Sequence, residues 1–117
     1  MKKDIKIPEV KDIAMAVVRE KNDLGEKVWN VYLLNLKDEE IYGVLVSSKG
    51  YGEKDGEKVK TSILRHFLDR VPAKSYAKVE PIMENLFGLN NEFCVSFYVK
   101  GIIHDKKYIF LPETIQE

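Results

Sequence analysis

Apolar residues recur at every second position through several short stretches of this chain, the period of a β-strand with one buried face. The pattern is densest from Val28 to Ser48, VWNVYLLNLKDEEIYGVLVSS. Two β-branched and aromatic runs there flank the polar segment Lys37-Asp38-Glu39-Glu40, which predicts a β-hairpin. With Leu36 paired to Ile41, the residues Trp29, Val31 and Leu33 share a face with Tyr42, Val44 and Val46. Burying Trp29 on that face contributes roughly 2–3 kcal/mol by area scaling.

Upstream, Ile5-Lys6-Ile7 before Pro8 predicts a short edge strand within residues 1–11. The run from Ile13 to Arg19 sets Ile13, Met15 and Val17 against Ala14, Ala16 and Val18, the profile of a central strand closely covered on one side. Asn22-Asp23-Leu24-Gly25 is turn chemistry. Downstream, residues 47–60, SSKGYGEKDGEKVK, carry three glycines and charges of alternating sign, which predicts a long, exposed, mobile connection.

Thr61 to Val71 fits a helix through Ile63, Leu64, Phe67, Leu68 and Val71, and a strand through Thr61, Ile63, Phe67 and Val71. Its β-like neighbours and the closing Pro72 favour the strand. Val71 to Ser75 reads as a turn. From Ser75 to Ile82, Tyr76, Lys78 and Glu80 alternate with Ala77, Val79 and Pro81. A helix over Ser75 to Phe87 would hold Pro81 in its interior at about 3 kcal/mol, so a strand comes first and a short helical turn follows at Met83 to Phe87. Phe93, Val95, Phe97 and Val99 make the cleanest strand. Lys100-Gly101 then turns the chain into a last strand from Ile102 to Leu111. Strict pairing across that turn sets Val95 opposite Lys106, and a bulge near Asp105 would restore an apolar face with Tyr108 and Phe110.

About seven short strands, with turn signals every eight to twelve residues, predict an all-β fold. The expected form is a single immunoglobulin-like antiparallel β-sandwich spanning residues 1–117. The alternatives are a small β-barrel, or an α+β fold with one helix near 62–71 or 75–87.

Composition narrows the function more than it names it. The chain has 117 residues, 44% hydrophobic and 32% charged, as in ordinary globular domains. Nineteen Lys and Arg balance nineteen Asp and Glu, which disfavours a dedicated nucleic-acid or acidic-membrane surface. The single cysteine, Cys94, forms no internal disulfide and no zinc cage by itself. MKKDIKIPEV lacks a signal-peptide core and no stretch reaches membrane-span length, so a cytoplasmic protein is expected.

Gly50, Gly52 and Gly56 are spaced G-x-G-x-x-x-G, which is neither the dinucleotide nor the P-loop pattern. Glu53, Asp55 and Glu57 would repel a phosphate, and they do not follow the EF-hand order of calcium ligands. Cys94 with His66 or His104 offers the residue types of a Cys–His nucleophile. Cys94 is flanked by Phe93 and Val95, however, with no glycine-rich turn or helix N-terminus beside it to activate a thiol, and a mid-strand Cys is usually a packing residue. Arg65 and His66, with Lys49 and Tyr51 beside the glycine-rich segment, form the best ligand-binding candidate; the plainer reading is exposed strand-end side chains. No cofactor or metal is implied. The expected role is a non-enzymatic binding or protein-interaction module with an unidentified protein partner. Open sheet edges at Ile5, Ile7 and the C-terminal strand leave self-association to a homo-oligomer available.

The runs VLVSSKGYG, TSILRHFLDRVPAKSYAKVE and LNNEFCVSFYVKG, then DKKYIF, resemble a family of small bacterial proteins often labelled in genomes as a phenylalanyl-tRNA synthetase subunit. The resemblance spans about Ile13 to Thr114 and would imply a synthetase-associated or tRNA-binding accessory. A class II synthetase needs an ATP site with paired arginines on a large antiparallel sheet, and this chain has only Arg19, Arg65 and Arg70. The resemblance therefore carries no catalytic residue across.

Overall fold

The computed structural model describes residues 10–115. Eight strands follow in order: β1 (Ile13–Lys21), β2 (Lys27–Asn35), β3 (Ile41–Lys54), β4 (Glu57–Lys60), β5 (Leu64–Val71), β6 (Ser75–Ile82), β7 (Asn90–Val99) and β8 (Ile102–Phe110). A 3-10 turn at Glu84–Leu86 is the only helical element among the described residues. Residues 64–71 and 75–82 are therefore strands, and the α+β alternative falls. The edge strand expected at Ile5 to Ile7 lies outside the described residues.

The strands form two antiparallel sheets, β1-β2-β6 and β4-β3-β7-β8, with β5 also paired to β3. This is an all-β sandwich and not a closed barrel. In immunoglobulin lettering, β1, β2 and β6 stand as A, B and E, while β3, β7 and β8 stand as C, F and G. The fourth and fifth strands add to the C strand, not to E.

The segment that reads as a central hairpin is a crossover. β2 has β1 on one edge and β6 on the other, while β3 lies between β5 and β7. Leu36 and Ile41 therefore do not pair, and residues 36–40 carry the chain from one sheet to the other. Asn35, fully buried, organises that passage. Its Nδ2 donates to the carbonyls of Glu39, Val71 and Pro72 at 3.0, 3.1 and 3.0 Å, and its Oδ1 accepts from Lys37 N. The β5–β6 connection docks alongside, with Lys74 N donating to Lys37 O and Lys74 Nζ to Leu36 O. Both crossings at this end of the sandwich are thus tied to each other.

Alternation carries the inward set into the core: Trp29, Val31 and Leu33 from one sheet against Ile41, Val44, Val46, Val71, Phe93, Val95 and Phe97 from the other. They meet across the sandwich, not side by side in one sheet. Trp29 is buried; its Nε1 donates to Glu84 Oε1 at 3.0 Å, and its ring meets the edge of Phe87. Tyr42, expected on the inner face, points out, because a bulge at Gly43 and Val44 shifts the register between Tyr42 and Leu45. Gly43 holds φ of +56°, and a Cβ there would stand 3.0 Å from the Tyr98 ring, so only glycine fits without rearrangement.

Three other expectations change. β1 pairs only with β2 among the described residues, so it is an edge strand and Val18 stays exposed. Residues 47–60 are not a loose connection: β3 runs on to Lys54 and turns through Asp55 (φ 54°) and Gly56 (φ 81°) into β4. β7 and β8 pair without a bulge, so Lys106 sits on the inner side opposite Val95, its Nζ 5.1 Å from the Tyr108 ring centre. An inward lysine on an edge strand hinders pairing with another chain. β8 tolerates it because its Nζ can snorkel past the sheet edge.

Candidate functional site

Each open side of the sandwich is fastened by side chains. On one side the Tyr108 hydroxyl of β8 donates to the Ile13 carbonyl of β1 at 3.0 Å, and burial raises that phenol's pKa above its ordinary value. On the other side Glu80 of β6 bridges the sheets. Its Oε1 accepts from the Ser48 hydroxyl of β3 at 2.8 Å and from His66 Nε2–H of β5 at 2.7 Å. Glu80 reaches inward because the register of β6 against β2 shifts there, pairing Glu80 with Val31 and Lys78 with Tyr32. The extra residue, Val79, makes a bulge that turns both Val79 and Glu80 toward the core. Strict alternation puts Glu80 on the outer face with Tyr76 and Lys78; that expectation is corrected. Pro81 accordingly turns out and Ile82 in.

Of the four ligand-binding candidates, Lys49, Tyr51 and Arg65 belong to the outer face of the five-stranded sheet. His66 points the other way, into the space between the sheets. Lys49 Nζ lies 5.8 Å from the Tyr51 ring centre and 3.5 Å from Glu92 Oε2. Arg65 pairs with Ser47 and stays exposed. The four therefore do not converge on one ligand. Cys94 and the histidines are divided in the same way. Cys94 lies on the outer face of β7, half-buried, its Sγ 3.7 Å from Glu92 Oε2. His66 and His104 lie on the inner side of the sheet, His104 stacked on Phe97 at 5.3 Å. The sheet separates the thiol from both imidazoles, and Cys94 is not a core-packing residue. Ser48 and His66 do share Glu80, yet each bonds the carboxylate and not the other, so no hydroxyl-to-imidazole relay forms.

The outer face of the five-stranded sheet has one end apolar and one end charged. At the apolar end Tyr42, Tyr98 and Ile103 are neighbours across β3, β7 and β8, and Leu45 pairs with Phe67 on β5. All five are exposed, Phe67 to 67%. The Tyr42 and Tyr98 rings stack at 5.9 Å, and Gly101 N donates to the Tyr42 hydroxyl at 2.7 Å, which fixes the pair. At the other end Glu92 lies buried between Lys49 and Lys107, with the Tyr51 hydroxyl donating to Oε1 at 3.3 Å. Glu39 pairs with Lys100, and Glu40 with Arg70, on the rim.

On the outer face of the three-stranded sheet, Glu20 accepts from the Tyr32 hydroxyl and from Asn30 Nδ2. The bond from Tyr32, with that from Asn30 adding to it, holds the Glu20 carboxyl below its ordinary value of 4.5. The same carboxylate pushes the Tyr32 phenol above 10.0. A depressed folded-state value means that Glu20's stabilisation is in place above its unfolded pKa and is lost as pH falls through the lower folded one. Tyr32→Phe is expected to move the Glu20 midpoint up toward 4.5 in a side-chain carbon NMR titration; an unmoved midpoint would show that the phenol does not set it.

The fold places the chain in the class of immunoglobulin-like β-sandwiches. No helix among the described residues is long and apolar enough to cross a membrane. A scan against protein-family models found no match, and a search of curated proteins found none either.

Proposed function

We propose that this chain is a non-enzymatic protein-interaction module that meets its partner with the outer face of its five-stranded sheet. The observation that carries this reading is the contiguous exposure of Tyr42, Tyr98, Ile103, Leu45 and Phe67 in adjacent strand registers. Apolar groups clustered on an outer sheet face gain nothing from the chain's own core, and clustered exposed aromatics are typical of interface centres. The stacked tyrosines are already held in place, so docking against them costs little side-chain entropy. The charged rim supports a protein partner over a nucleic acid. Its lysines and arginines stand beside carboxylates at Glu92, Glu39 and Glu40, which cancel the potential that phosphate binding requires. The tRNA-accessory role implied by the resemblance gains no basic groove from this face.

Capture from native lysate tests the reading, with the intact chain as bait and Phe67→Asp as control. The expected result is a partner, or a second copy of the chain, retained by the native bait and lost from the variant. Equal capture by both would overturn it. So would saturable tRNA binding at about 0.15 M salt that weakens steeply as salt rises.

A further inference from the structure

Below the Glu80 bridge lies a narrow cleft of about 90 Å³ between β6 and the strands β3 and β5, room for a few water-sized groups. Its floor is apolar, made by Ile82, Leu86 and Phe93, and its polar lining includes Glu80 and Asn91. The Glu80 side chain is only 10% exposed. Ser48 and His66 both bond its Oε1, and its Oε2 has no hydrogen-bond partner among the described residues. Asn91, 5% exposed, commits Nδ2 to the carbonyls of Leu86 and Leu89, and its Oδ1 is likewise without a donor there. No buried side-chain oxygen among the described residues lacks a partner. These two oxygens must therefore reach open space, and the cleft is the space that both residues line.

The donors of Ser48, Thr61 and Lys49 are already committed, and the Ser62 hydroxyl stands at the exposed mouth. The Ser48 hydroxyl is given to Glu80, and Thr61 Oγ1 donates to the Ser62 carbonyl while accepting from Gly50 N. The Lys49 ammonium is turned to Glu92 on the other face of the sheet. What the cleft offers is two acceptors, one of them anionic, above an apolar floor. An anion would be repelled. A metal ion would need a third ligating side chain, and among the described residues no such group occurs. The bulge in β6 exists at the expense of a regular ladder and brings a carboxylate into the inter-sheet space, an arrangement that favours a cationic counterpart.

We infer that this cleft binds a small organic cation, an alkylammonium or guanidinium group. Its N–H bonds divide between Glu80 Oε2 and Asn91 Oδ1, and its short stem lies on Phe93 and Ile82. The cation is either a free amine or the end of a lysine or arginine side chain on a peptide. The site is independent of the outer-face reading, since its acceptors and floor lie on the opposite side of the sheet.

The test is an amide NMR titration of the intact chain with n-butylammonium chloride, n-butanol, and a capped Gly-Lys-Gly tripeptide. The expected result is saturable shifts at Ser48, Thr61, Glu80 and Asn91 with millimolar Kd for the ammonium, and none for the alcohol. Glu80→Gln should weaken binding at least about tenfold, because a charge-assisted bond becomes a neutral one. Should that variant unfold, Ser62→Tyr at the exposed mouth blocks entry without touching Glu80 and should abolish the shifts. A tripeptide binding at least about tenfold tighter than the ammonium identifies a side chain as the source; equal affinity identifies a free amine. Equal shifts from the alcohol, or none from either cation, would overturn the inference.

Discussion

Asn35→Ala is expected to lower stability by about 3–4 kcal/mol, a large share of what a domain this size holds in reserve. The side chain is fully buried and serves three carbonyls and one amide, so its removal strands several polar groups at the point where the chain changes sheets. Asn35→Asp should cost at least as much. It keeps an acceptor for Lys37 N but sets a buried negative charge against the carbonyls of Glu39, Val71 and Pro72. Denaturant unfolding measures the loss, and hydrogen exchange should localise it as faster exchange at Lys37 and Lys74. A change below about 1 kcal/mol, the scale of a single net hydrogen bond, would mean that the crossover is held by its neighbours and not by Asn35.

Two phenylalanines of the five-stranded sheet should differ as sharply. Phe97 is fully buried and stacked against His104. Phe97→Ala should cost about 3–5 kcal/mol through lost burial and the cavity left behind. At roughly 4 °C per kcal/mol for a chain of this length, the thermal midpoint falls by more than about 10 °C. Phe67 points outward and is 67% exposed, so Phe67→Ala should stay within about 0.5 kcal/mol of the native protein. A thermal scan of the two variants decides it. Comparable losses would mean that Phe67 is held by packing, and the outer face would cease to be a free binding surface.

The difference between these two residues was partly legible in the sequence. Phe97 belongs to the alternation Phe93, Val95, Phe97, Val99, and that run went inward as its period required. Phe67 fitted a strand face and a helix face equally well, and nothing local told which side it would take. The glycine-rich stretch contained a stronger signal than its composition suggested. Asp55-Gly56 between matched charged residues is a two-residue hairpin signal, and it makes the turn from β3 into β4. Lys49, Tyr51, Arg65 and His66 were close in sequence pattern, yet parity along β3 and β5 sends His66 to one side and the other three to the opposite side. Glu80 and Asn35, which the structure brings to the centre of the picture, looked like an outer strand residue and a strand-end residue.

The chain's own pattern determined that it would be all β, where nearly every strand would lie, which turns would close with Lys100-Gly101 and Asn22 to Gly25, and that Trp29 would be buried. Period-two alternation and turn chemistry are local, and local preferences suffice for those outcomes. Tertiary structure alone decided which strands became neighbours, that residues 36–40 cross between sheets, and that bulges at Gly43 and Val79 turn Tyr42 outward and Glu80 inward. Alternation states which face a residue takes but not which strand lies beside it. A single extra residue in a ladder reverses the faces beyond it, and that residue is chosen by the packing of the two sheets against each other.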